Sequence, residues 1–265
     1  MMTVPFQPAA RFPATPVLED RDVHLWVAPL DQPPERVSAL LRLLSPDERD
    51  RADRRRSAQH RRQFIVARGL LRELLGAYAG QAPDRLQISS SGRQGKPVLS
   101  GDTGATPLHF NLSHAGAHVL IGVARQELGV DLEAVEAKRD FLELADRFFA
   151  PAESAAVRSL PESERGEAFY NAWTRKEAYV KALGTGLAEP LDGFEVTVGP
   201  GEPARLLRIS GGDGNAAAWS LYDLRPLAGL VGALALRGRD CRVQAWLISE
   251  RRRATDSSRR RREAS

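Results

Sequence analysis

Three carboxylates and two ammonium groups in the second half of the chain have the types and spacing to handle a phosphate. Gly129-Val130-Asp131-Leu132-Glu133 alternates apolar and acidic residues. That period of two predicts a strand with Asp131 and Glu133 on one face and Val130 and Leu132 on the other. Further on, Trp173-Thr174-Arg175-Lys176-Glu177-Ala178-Tyr179-Val180-Lys181 predicts a helix. Trp173, Glu177 and Lys181 are spaced by four and share a face, and Gly184 and Gly186 mark the stop. If the helix packs across the strand, Glu177 meets Asp131 and Glu133. Three converging carboxylates repel unless a cation sits among them. Oxygen-only ligation suits a hard ion such as Mg²⁺, which takes one or two carboxylates together with phosphate oxygens. Lys181, with Lys176 nearby, would help to neutralise a phosphate-bearing substrate. Each piece alone is ordinary: an Asp-x-Glu strand is commonly a solvated face, and a Glu-to-Lys pair four apart is a surface ion pair of about 0.3–0.5 kcal/mol.

The first half supplies more basic groups. In Ser91-Gly92-Arg93-Gln94-Gly95-Lys96-Pro97-Val98-Leu99, Gly95 permits a tight turn, Lys96 projects from it, and a short strand follows. Residues 106–112 read as a strand that ends in Phe110-Asn111-Leu112-Ser113-His114, and 119–124 as its neighbour, with Gly116 in the turn. Ser45-Pro46-Asp47-Glu48 is a helix start, with Ser at the cap, Pro at the first position and acids in the first turn. The stretch 49–62 then holds seven Arg against Asp50 and Asp53. Most of these form an exposed helix face; some can form a phosphate-binding surface. Residues 59–78 predict a long amphipathic helix with Phe64, Ala67, Leu70, Leu71, Leu74 and Leu75 in its stripe and Arg68 and Arg72 on its polar side.

Taken together, Gly-Val-Asp-Leu-Glu, Arg-Phe-Phe with a Glu four residues after it, Trp-Thr-Arg-Lys-Glu-Ala-Tyr-Val-Lys, Gly-Lys-Pro and Phe-Asn-Leu-Ser-His resemble, in order, spacing and type, the 4'-phosphopantetheinyl transferases of the Sfp type. The resemblance covers about 45–236. It implies an α+β fold, a pseudo-twofold pair of similar subdomains in one chain, with the active site between the halves. It implies Mg²⁺-dependent transfer of the 4'-phosphopantetheine arm of coenzyme A to a serine of an apo acyl, peptidyl or aryl carrier protein, with adenosine 3',5'-bisphosphate released. Asp131, Glu133 and Glu177 would hold the metal. Lys96, Ser113 and His114 would meet the coenzyme A phosphates, and Arg51, Arg62 and Arg68 are the candidates for its 3'-phosphate. Lys176 would add charge, and Lys181 would act in the chemistry. The base would be Glu177, directly or through water, or else Glu153. Trp173 reads as a packing residue. Two rivals are a nucleic-acid-binding module using the Arg-rich helix and tail, and a different Mg²⁺-dependent phosphotransferase.

Composition bounds the rest. With 265 residues, 42% hydrophobic, and no apolar run near the roughly 20 needed to span a bilayer, a cytoplasmic enzyme is expected; the resemblance is read as that of a monomer. The single Cys241 excludes an internal disulfide framework. The net charge of +4 is concentrated at the end: 251–265 carries seven Arg, one Asp and one Glu, so the remainder sums to about −1. Only four residues are Lys, at 96, 138, 176 and 181, and three of them fall in the motifs above. The expected division is an irregular extension at 1–22, an N-terminal subdomain at 23–128, a C-terminal subdomain at 129–250 and a disordered tail at 251–265. Helices are expected at 33–44, 141–149, from 151, and at 163–183. Strands are expected at 23–28, 194–198, 218–224, 230–236 and 243–247, with a turn at 211–215.

Overall fold

Two helices of 22 residues each organise the two halves, and in both the same local device ends the helix: a glycine in the left-handed region, Gly80 at φ 63° and Gly184 at φ 72°. The computed structural model describes residues 3–91, 96–100, 107–136, 140–184, 189–210 and 215–248. The expected turns at 92–95 and 211–214, the Gly186 stop and the tail at 251–265 lie outside the described residues.

The first half runs β1 (Thr3–Val4), β2 (Phe6–Ala9), β3 (Asp22–Pro29), α1 (Pro34–Leu43), α2 (Pro46–Asp53), α3 (Ala58–Ala79), β4 (Gln87–Ser91), β5 (Lys96–Ser100), β6 (His109–Ala115) and β7 (His118–Ala124). The second runs β8 (Leu128–Ala134), α4 (Phe141–Phe148), α5 (Pro151–Ser159), α6 (Glu162–Leu183), β9 (Phe194–Val196), β10 (Leu206–Ile209), β11 (Trp219–Leu224), β12 (Leu230–Arg237) and β13 (Arg242–Ile248). At Ser45 the capping box forms in full: its hydroxyl accepts from Glu48 N and the Glu48 carboxylate accepts from Ser45 N. The Arg-rich run is not one helix, because Ser57 caps a new one by accepting from His60 N.

The main sheets are a five-stranded one, β2-β13-β3-β7-β6, and a four-stranded one, β1-β11-β12-β8. They pack face to face. Alternation along the strands sends Val23, Leu25, Val27 and Leu120 to one side, against Leu128, Val130, Leu132, Leu234 and Leu236 of the other sheet. The opposite face of the first sheet, with Trp26, Val119, Ile121 and Val123, packs on α3. Val231, Ala233 and Ala235 of β12 pack with Ala172, Ala178 and Ala182 of α6. The result is an α+β fold of four layers, each half carrying a long helix on one sheet.

Both chain ends depart from the expected division. Residues 3–9 are not irregular: β1 pairs parallel with β11 of the second half, and β2 with β13. β13, expected in the C-terminal subdomain, lies between β2 and β3 in the sheet of the first half. Strands of two and four residues interrupted by Pro5 carry too little alternation to be read alone. Their order comes from pairing with distant strands, and pairing partners are not written in local sequence.

Candidate active site

Gly129 sets the geometry. A Cβ built there would stand 2.0 Å from Ala178 O, 2.4 Å from Ala182 N and 2.9 Å from Lys181 C, all backbone of α6. The helix therefore lies on β8 more closely than any side chain at 129 would permit. Because Leu128, Val130 and Leu132 point into the core between the sheets, the alternate residues Asp131 and Glu133 face α6.

Asp131 is 3% exposed. Its Oδ1 accepts from Ser113 Oγ at 2.9 Å and from Lys181 Nζ at 2.6 Å, and Lys181 Nζ also reaches Ser113 Oγ at 3.2 Å. Its Oδ2 is buried with no hydrogen-bond partner. Burial pushes the Glu177 carboxyl above the usual range, and the nearby Asp131 charge pushes it further, partly offset by Lys181. Glu133 Oε1 accepts from Trp173 Nε1 at 3.2 Å. Trp173 is stacked on Phe169 with centroids 5.8 Å apart and meets Phe148 edge-on at 5.6 Å, so its expected packing role includes holding Glu133.

Among the described residues, no three His, Cys, Asp or Glu side chains are closed into a ready-made metal cage. The donor chemistry still fits Mg²⁺. That ion commonly takes only one or two carboxylates and completes its shell with substrate oxygens, and an unmet, buried carboxylate oxygen beside a second carboxylate is a place for a cation.

The strand β6 joins this cluster to a second one. Its odd residues face β8: Asn111 Oδ1 accepts from Val130 N at 2.9 Å, and Ser113 donates to Asp131. Its even residues, Leu112 and His114, line a cleft of about 460 Å³ with Arg51, Arg55, His60, Gln63, Phe64, Ala67 and Arg68. Phe64 is ringed by guanidinium groups, Arg55 at 4.6 Å and Arg51 and Arg68 each at 5.8 Å from its centroid. Arg68 is 9% exposed, and its Nη1 is buried with no hydrogen-bond partner. Burial lowers the Arg68 guanidinium, and Arg51, Arg72 and Arg55 lower it further against the attraction of Glu48. His114 is open to the cleft, yet it is held below the ordinary imidazole value, by the desolvating cleft walls first and then by Lys181 and Arg55. A cleft of mutually repelling cations with an unmet donor can take an anion such as a phosphate.

Five expected site residues stand elsewhere or are differently engaged. Lys176 has no exposed surface; its Nζ donates to Glu153 Oε2 at 2.7 Å, Leu191 O at 2.7 Å and Phe194 O at 2.6 Å. Glu153 also accepts from Ala150 N and Val196 N at 2.9 and 2.7 Å. One residue from Glu177 is about 100° around a helix, so this enclosed pair faces away from Asp131. It can meet neither a phosphate nor a serine. Arg62 is turned from the cleft toward Asp31, at 3.6 Å, and the Gln32 carbonyl. Lys96 lies at the C-terminal end of α6, near Leu128 O (3.3 Å) and Ala182 O (3.4 Å), and is paired with Glu127. Ser113 turns to Asp131 rather than into the cleft.

Arg55 and His60 complete the cleft and were not singled out by motif. The available signal was spacing: Arg51 and Arg55 are four apart, but the break between α2 and α3 hides which of the seven Arg turn inward.

Comparison with known proteins agrees with this architecture. The family model described as "4'-phosphopantetheinyl transferase superfamily" matches residues 127–235, and "4'-phosphopantetheinyl transferase, N-terminal" matches 31–126. The 4'-phosphopantetheinyl transferase HetI of Nostoc is 40% identical over 226 residues, 85% of this chain and 92% of its own. The 4'-phosphopantetheinyl transferase Sfp of Bacillus subtilis is 29% identical over 168 residues, 63% of this chain and 71% of its own. A Xenopus laevis relative, L-aminoadipate-semialdehyde dehydrogenase-phosphopantetheinyl transferase, is 28% identical over 60% of this chain.

Proposed function

Because this chain belongs to the 4'-phosphopantetheinyl transferase superfamily, and so is an enzyme that transfers phosphopantetheine to carrier proteins, we propose how it does so. The donor is coenzyme A. The acceptor is a serine hydroxyl of an apo acyl, peptidyl or aryl carrier protein, and adenosine 3',5'-bisphosphate is the second product. One observation carries the reading: Ser113, Asp131 and Lys181 are joined beneath α6 beside Glu177, with Asp131 Oδ2 unmet, on a strand system whose other face lines the guanidinium cleft.

Asp131 and Glu177, with Glu133 as a further donor, are the residues that would hold Mg²⁺; when bound, it supplies a Lewis acid that polarises the diphosphate. Arg51, Arg55 and Arg68 hold the 3'-phosphate end of coenzyme A, and His114 lies between that end and Lys181. The serine oxygen attacks the phosphorus that bears the pantetheine arm. The P–O bond to the nucleotide phosphate breaks, and its electron pair leaves with that phosphate. The serine proton passes to Glu177, directly or through a water. Lys181 neutralises charge that builds on the departing oxygen. Glu153 has no part in proton transfer, being enclosed with Lys176.

In this proposal the chain divides near 128/129, with β1 and β13 exchanged between halves, and the enzyme works as a monomer in the cytoplasm. No helix among the described residues is long and apolar enough to cross a membrane. The test is intact-mass analysis of several apo carriers incubated with the protein, coenzyme A and Mg²⁺, with and without excess chelator. Each modified carrier should gain the mass of one phosphopantetheine, and chelator should stop the gain. Conversion that survives chelation would remove the cation from the mechanism.

A further inference from the structure

The Lys181 ammonium is paired with Asp131 Oδ1 at 2.6 Å. Its side chain is 28% exposed, whereas that of Asp131 is 4% exposed, so the pair is closed at the carboxylate and open at the ammonium. Asp131 Oδ1 is fully engaged, by Lys181 at 2.6 Å and Ser113 at 2.9 Å. The other oxygen, Oδ2, is buried and unmet. Lys181 is also in the last turn of α6, where the helix carbonyls favour a cation. Its charge is thus held by the Asp131 carboxylate and by the end of the helix.

A divalent cation held by Oδ2 and Glu177 would share this pocket with the ammonium. Like charges in one pocket repel strongly where water is partly excluded. The repulsion is relieved when an anion with several oxygens reaches the same place, because the ammonium can then turn outward to it. Resting on the coenzyme A reading above, we infer that Lys181 is a counter-ion shared between Asp131 and the substrate diphosphate. It opposes the divalent cation until the diphosphate arrives, and so makes the cation and coenzyme A bind cooperatively. Linkage requires the effect to be mutual: the cation raises coenzyme A affinity by the factor by which coenzyme A raises cation affinity.

Binding, rather than turnover, tests this. Mn²⁺ serves as the probe and is followed by electron paramagnetic resonance on the full chain, without carrier protein, with and without coenzyme A, and corrected for Mn²⁺ bound by coenzyme A alone. In the wild type, coenzyme A should tighten Mn²⁺ binding. Lys181→Met keeps most of the stem and removes the charge. It should tighten Mn²⁺ binding to the free protein by about tenfold, roughly the 1.4 kcal/mol of one decade, and shrink the gain that coenzyme A gives. Lys181→Arg keeps the charge and should stay within about twofold of wild type in the free protein. If Lys181→Met binds Mn²⁺ no better than wild type, or if coenzyme A leaves wild-type Mn²⁺ affinity unchanged, the shared counter-ion is wrong while the transferase mechanism stands. If wild type binds no Mn²⁺ under either condition, the carboxylate site itself is misassigned and both fall.

Discussion

Replacing Gly129 by Ala adds one methyl group and probes the whole geometry. The new Cβ would meet Ala178 O at 2.0 Å, and ordinary van der Waals contact begins near 3.4 Å, so strand and helix must part by about 1.4 Å at that point. The three neighbours are backbone atoms, which cannot swing aside as a side-chain tip can. Overpacking of a core typically costs about 1–3 kcal/mol, and a rigid backbone contact belongs at the upper end. For a chain of this size about 2–4 °C accompanies each kcal/mol, so the thermal midpoint should fall by roughly 5–10 °C. Activity should suffer more. Glu177 and Lys181 ride on the displaced helix and Asp131 on the strand; a misplacement of about 1 Å can cost roughly 10²-fold. Turnover at saturating coenzyme A, Mg²⁺ and apo carrier, read by intact mass well below the midpoint, should drop by about that factor with the fold retained. Gly116→Ala is the control: its φ of +54° strains the backbone, but nothing lies within 4 Å of the added Cβ. It should lose stability without losing turnover. A Gly129→Ala enzyme within about threefold of wild-type turnover would refute the claim that this contact sets the site.

Further outcomes follow from the same contacts. Lys176→Met leaves Glu153 buried without its cation and should destabilise the fold by about 3–5 kcal/mol in chemical denaturation, as broken buried pairs do; adding Glu153→Gln should restore much of that. Arg68→Met removes an unmet buried donor and a cation crowded by Arg51, Arg55 and Arg72. Its thermal midpoint should therefore rise by a few degrees while calorimetric affinity for coenzyme A falls by about tenfold or more. His114 is held below its ordinary value in the free protein, and a bound phosphate favours its cationic form. Coenzyme A binding should accordingly take up a proton and tighten as pH falls toward the ordinary imidazole range of about 6.5, and His114→Gln should flatten that dependence.

The parts of this site that could be read from sequence are those in which one element presents one face. The alternation of 129–133 put Asp131 and Glu133 together, and the spacing of four put Glu177 and Lys181 above them; the strand and helix follow those periods. What could not be read required knowing which elements meet. Lys176 lies next to Glu177 in sequence, but the helix turns it into a closed shell of carbonyls and Glu153. Arg62 and Arg55 are alike in composition and context, and only the break after Asp53 decides that one turns to Asp31 and the other to Phe64. Gly129 looked like the first residue of a strand, and its importance lies in the backbone of a helix far along the chain. The exchange of terminal strands was hidden for the same reason.

Asp131, the carboxylate whose second oxygen is buried and unmet, is the centre of the proposed catalytic cluster. The direct measurement is the rate of mass conversion of an apo carrier by Asp131→Asn under single-turnover conditions with saturating coenzyme A and Mg²⁺, beside the wild type. The substitution keeps the shape and an oxygen for Ser113 but removes the charge. Conversion should slow by at least about 10²–10³-fold, the range seen when one electrostatic contributor is removed, while thermal unfolding still shows a folded protein. Conversion within about tenfold of wild type would contradict the assignment of the carboxylate cluster as the catalytic centre.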